Sequence, residues 1–246
     1  MTRVLVSLTA RQLLGRRRTL FMALVVAVPV GIALIYRYGA EPGPGVDPAQ
    51  VSVDLVGSLI LTLLLPLVAL VLGTASLGAE IEDGTAVFLL TKPVPRWRIV
   101  AVKTGVAATA TLALVVPSTF ATAWIVTGNA DALALGLCLS AAVASVLYSA
   151  VFVALAAVTS RALLFGLLYV FVWEVFATNL FDSLRWLSIR EYAVAWSQLA
   201  VTISGNDIVD PGMATVAAAV GSAVVLGLAA GGGTYALSRF EIRDSP

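Results

Sequence analysis

Six apolar runs, each long enough to cross a hydrocarbon core, restrict what this chain can fold into more than any other feature: approximately 19–37, 53–78, 99–127, 131–159, 162–180 and 213–238. A crossing takes roughly 20 residues at about 1.5 Å of rise each. Lipid offers no partner to an unpaired backbone amide, so each run is expected as a helix. Composition agrees, because 60% of the 246 residues are apolar, 12% are charged and the mean hydropathy is +0.99, outside the balance of a soluble domain. The expected fold is an all-α polytopic membrane protein with six transmembrane helices in a single domain, 1–246. No internal repeat or low-complexity tract divides it.

Charge sets an orientation. Twelve basic residues (Arg3, Arg11, Arg16, Arg17, Arg18, Lys92, Arg96, Arg98, Lys103, Arg161, Arg239 and Arg243) fall on the side of the N-terminus. Only Arg37, Arg185 and Arg190 fall on the other. The positive-inside rule then places both termini in the cytoplasm of a multi-pass cell-membrane protein. Residues 2–15 space Val4, Leu5, Leu8 and Leu13 as an amphipathic helix lying on the inner membrane surface; a basic tail that frays is the alternative. No small-residue cleavage site follows, so a retained first helix is expected rather than a secretory signal. "GAEPGPGVDP" at 39–48 reads as an outer loop. Phe181 to Gly212 is too long for a turn and fits one or two helices on the outer surface, with Trp186, Tyr192 and Trp196 suited to an interfacial belt.

The chain has no histidine and one cysteine, Cys138. That removes imidazole metal sites, His general bases and an internal disulfide, and no metal-ligand cluster is expected. A net charge of +1 gives no reason to expect nucleic acid. Glu174 lies inside the fifth run, where a carboxylate is expensive and by default a functional candidate. Its alternative is a structural carboxylate bonded to neighbouring helices, near the outer interface and in reach of Arg185 or Arg190. Pro29, Pro66 and Pro117 should bend or loosen three spans. Gly227 and Gly231 permit a close helix approach, within the chain or between chains.

One connector does not fit a plain bundle. Between the second and third runs stands "EIEDGTAVFLLTKPVPRWRIVAVK", residues 80–103, which holds Val87, Phe88, Leu89 and Leu90 in a polar setting. Pro93 and Pro95 stop any helix there, and Arg96 returns the chain to the headgroups. A helix this short is not stable alone in water, and its apolar residues need cover. They either fold back on their own bundle or headgroups, or fill a groove on a cytoplasmic partner.

The same stretch resembles the signature of the ABC-2 type permeases, the six-helix membrane subunits of ABC exporters. Glu80, Glu82, Gly84, Thr85, Leu89, Leu90, Pro93, Arg96 and Lys103 match it, although Pro95 stands where serine is commoner. "YVFVWEVFATNLFDSLRWLSIREYAVAW" resembles a subset of that family in its Trp-Glu pair and following outer segment. The resemblance implies a cytoplasmic coupling helix, with Val87, Phe88, Leu89 and Leu90 in a groove of a separate ATPase and Glu80, Glu82 and Asp83 near the groove's basic rim. It also implies two ATPase copies, a second permease copy or homologue, and export. The chain lacks a Gly-x-x-x-x-Gly-Lys-Ser/Thr loop, so ATP and magnesium are expected on that partner and no cofactor in this chain. Two other classes remain. An ion-gradient-driven secondary transporter would call for more mid-membrane ionisable groups than Glu174, and an intramembrane enzyme for a nucleophile-base pair.

Overall fold

The computed structural model describes residues 17–39, 47–82, 95–129, 132–177, 180, 182–201 and 213–238. All their regular structure is helical. Helix α1 is Arg17–Gly39. Helix α2 runs through residues 48–82 as an α-helical turn pair Pro48–Asp54, a π-helical stretch Leu55–Leu64 and an α-helix Leu65–Glu82. Then come α3 (Arg96–Thr127) and α4 (Ala132–Val158). Helix α5 joins seven α-helical residues, Ala162–Leu168, to nine π-helical ones, Tyr169–Ala177. A 3-10 turn, Asp182–Leu187, leads into α6 (Ile189–Val201), and α7 is Thr215–Ser238.

Helix α4 is the hub and packs against α2, α3, α5, α6 and α7. Its small residues Ala141, Ala144, Ser145 and Ser149 are buried, which lets neighbours approach closely. Gly73 of α2 makes the point: a Cβ there would stand 3.0 Å from Phe152 Cβ. Tyr148 and Phe152 stack at 6.0 Å between centroids, and Tyr169 of α5 meets Phe152 edge-on at 6.3 Å.

The Val26 carbonyl, three residues before Pro29, accepts the Ser118 hydroxyl of α3 at 2.5 Å. Ser118 itself follows Pro117, so this bond joins the proline-bearing stretches of α1 and α3. Pro66 sits at the junction where the π-helical stretch of α2 gives way to α-helix. Its ring excludes the usual bond to the carbonyl four residues back, and the backbone upstream takes wider turns. Thr62 follows the same spacing, with its hydroxyl bonded to the Gly57 carbonyl five residues back at 2.7 Å.

The chain's two ends of travel are distinguishable. At the connector end, Leu77, Ile99, Val100, Ala156, Ala157, Ala162 and Leu237 form one apolar cluster. At the cap end, Ala195 of α6 packs with Met213 and Ala218 beside α7. There too Gly128 ends α3 with φ 79°, its N–H on the Trp124 carbonyl at 2.8 Å, a left-handed cap that glycine takes without strain. Arg37 lies over it, 3.1 Å from where a Cβ would stand.

Among the described residues five helices are long and apolar enough to cross a membrane: those at Leu20–Gly39, Pro48–Leu77, Arg96–Thr127, Ala132–Val158 and Thr215–Ser238. Of the fifth run, expected over 162–180, the continuous described helix covers 162–177, at most roughly 24 Å even at the α-helical 1.5 Å per residue. Even so, Ala162 belongs to the connector-end cluster while Glu174, farther along, reaches the start of α6 at the cap end.

The segment expected on the outer surface differs from a surface helix. Ile189, Ala193 and Ser197, spaced four apart, are buried, and α6 is sunk against α4 and α7. The small side chains of Ala193 and Ser197 on that stripe allow the depth. A Cβ on Gly221 of α7 would stand 2.7 Å from the Tyr192 ring, so that contact requires glycine. The helix expected at 2–15 and the residues 83–94 of the connector lie outside the described residues.

Candidate functional site

Glu174 is fully buried on the π-helical part of α5. Tyr169, five residues earlier, shares its face because the wider π turns bring positions i and i+5 together, and its hydroxyl donates to Glu174 Oε1 at 3.0 Å. Two further donors come from the start of α6. The Ser188 hydroxyl gives its proton to Oε2 at 2.6 Å, and the Ile189 backbone N–H donates to Oε1 at 3.0 Å. A carboxylate at a helix N-terminus meets amides without intrahelical partners and the positive end of the helix dipole. Charge-assisted bonds of this kind are the strong ones.

Ser188 is also the N-cap of α6. Its carbonyl accepts the Tyr192 N–H at 3.3 Å and its hydroxyl oxygen accepts the Glu191 N–H at 3.4 Å. Ser188-x-x-Glu191 therefore carries half of a capping box. Glu191 does not complete the box by reaching back. Nearly buried, it turns to Arg185 Nη2 at 3.3 Å and Arg190 Nη1 at 3.5 Å. Tyr192 donates to the Trp186 carbonyl at 2.6 Å, and burial, together with the Glu174 carboxylate, raises its phenol above the ordinary range.

The site thus clamps α5 to the 3-10 turn and α6. Sequence reading singled out Glu174 and offered Arg185 or Arg190 as its neighbours; those guanidiniums meet Glu191, and Glu174 receives Ser188, Ile189 and Tyr169. Ser188 and Glu191 were missed, although "SIRE" at 188–191 is a legible capping signal. Of the expected docking residues, Glu80 and Glu82 fall on the last turn of α2 and half-buried Arg96 opens α3. Asp83, Gly84, Thr85, Val87, Phe88, Leu89, Leu90 and Pro93 lie outside the described residues. Among the described residues no cluster of three or more His, Cys, Asp or Glu could hold a metal ion.

A sequence profile for ABC-2 family transporter proteins matches residues 7–225. The chain belongs to that family. It is a multi-pass ABC-2 permease, the membrane component of an ABC transporter. The profile takes in α1 to α6 and the first half of α7, so Glu174, its donors and the connector are all parts of the ABC-2 permease body. No curated protein matches the chain.

Proposed function

We propose that this permease pairs with a second permease, identical or homologous, and exports a substrate as two separate ATPase subunits press on the connector between α2 and α3. Family membership across residues 7–225 carries this reading, because an ABC-2 permease requires a nucleotide-hydrolysing partner and this sequence has no phosphate loop. The docking residues are Glu80, Glu82, Asp83, Gly84, Thr85, Val87, Phe88, Leu89, Leu90, Pro93 and Arg96. Four apolar anchors in a groove would carry most of the binding energy. ATP and magnesium are held by the partner. ATP binding there biases a bundle with two arrangements; the permease itself binds and releases substrate.

In the same reading α5 is the sixth crossing and both termini are cytoplasmic. Arg96, Arg98, Lys103 and Arg161 stand toward the connector end, whereas Arg37, Arg185 and Arg190 stand toward the cap end, as the positive-inside rule requires of a cytoplasmic connector. Helices α1 and α7 are the least buried of the long helices and offer faces to lipid or to the second permease. The test is co-purification. Co-expressed with its ATPase, the native chain should carry the ATPase through mild detergent, and Phe88→Asp should release it while the permease keeps its melting temperature. Retention by Phe88→Asp would contradict the proposal.

A further inference from the structure

A cavity of about 460 Å³ opens at the cap end between α2, α4 and α6, within the roughly 300–1,000 Å³ of small-ligand sites. Its walls carry both signs of charge in separate places. On one wall Arg185 and Arg190 both reach the carboxylate of Glu191, at 3.3 and 3.5 Å. Across from it, on α2, Asp54 accepts Gln50 Nε2 at 3.1 Å and forms no ion pair among the described residues.

Two polar groups on the walls are left over. Ser140, 1% exposed, lines the cavity with its hydroxyl oxygen lacking a hydrogen-bond partner among the described residues. Arg190 Nε, also buried, is in the same position. Native proteins rarely leave buried donors unmade, and a ligand is one way of meeting them. Arg190 reaches the π-helical stretch of α2, its Nη2 3.8 Å from where a Cβ on Gly57 would stand. Val53, Leu61, Leu137 and Val194 make the rest of the wall apolar.

We propose that this cavity binds the headgroup of a zwitterionic amphiphile, its phosphate or carboxylate on Arg190 and Ser140 and its ammonium at Asp54. A purely anionic headgroup would face Asp54, and a purely cationic one would face the Arg185 and Arg190 guanidiniums. A headgroup with one charge of each sign satisfies both walls, while the apolar residues take the adjoining chain. The site is independent of any ATPase.

The experiment uses the full chain in detergent with native mass spectrometry, offering phosphatidylethanolamine, phosphatidylglycerol or soluble glycerophosphoethanolamine. Phosphatidylethanolamine should bind about tenfold tighter than phosphatidylglycerol, a difference of one charge contact. Asp54→Asn should remove that preference, and Arg190→Gln should weaken both lipids. Because Arg190 also contacts Glu191, Ser140→Leu serves as a second variant that fills the cavity from a neutral position, with its melting temperature as the folding check. Equal binding of the two lipids, a preference untouched by Asp54→Asn, or binding untouched by Ser140→Leu would overturn the proposal. Glycerophosphoethanolamine binding as tightly as the lipid would also overturn it, by showing that a free solute and not an amphiphile occupies the site.

Discussion

Ser188 stands between the two acids of the cap end, donating its hydroxyl proton to Glu174 at 2.6 Å and accepting the Glu191 N–H at 3.4 Å with the same oxygen. One side chain therefore caps α6 and fixes it to α5. Both jobs are lost together in Ser188→Ala, which should destabilise the chain by about 1–2 kcal/mol. Glu174→Ala leaves Ser188, Ile189 and Tyr169 without their acceptor and should cost about 3 kcal/mol. Because the two residues share a bond, the double variant should cost less than the sum, by about 1 kcal/mol. Thermal unfolding in one detergent measures all three, and strict additivity would show that the Ser188–Glu174 bond carries no weight.

Close approach of α7 to α6 depends on Gly221. Gly221→Ala places a methyl 2.7 Å from the Tyr192 ring and should destabilise by about 1–3 kcal/mol, with Tyr192→Ala restoring part of the loss. Gly227 has nothing within 4 Å of its Cβ position. Gly227→Ala should therefore be neutral or stabilising by up to about 1 kcal/mol, since alanine is the better helix former. The same melting assay separates the two glycines.

Topology follows from α5. In a Cys138→Ser background, Gln50→Cys and Trp186→Cys should react with an impermeant maleimide from outside intact cells, and Arg161→Cys only after the membrane is opened. Arg161 and Trp186 reacting from the same side would mean that α5 does not cross.

The spans were legible because burying an apolar run in lipid leaves the backbone only one solution, so hydropathy alone placed α1 to α4 and α7. Helix α5 was legible as an apolar run and not as a short one, because its π-helical turns depend on packing: Glu174 must meet Ser188 and Ile189, which are remote in sequence. Tyr169 could not be chosen as a partner of Glu174 either, since a spacing of five is off-face in an ordinary α-helix. The depth of α6 was hidden for a similar reason. Ala193 and Ala195 look unremarkable in sequence, yet their small size is what lets the helix sink against α4 and α7.

Docking of the connector on the ATPase can be read by cross-linking from residue 88. With Cys138→Ser removing the one native thiol, a Phe88→Cys chain carrying a short photoreactive group is assembled with its ATPase in membranes and irradiated. The expected result is a covalent product with the ATPase subunit that strengthens or fades with nucleotide. Products confined to lipid or to the permease itself would contradict it.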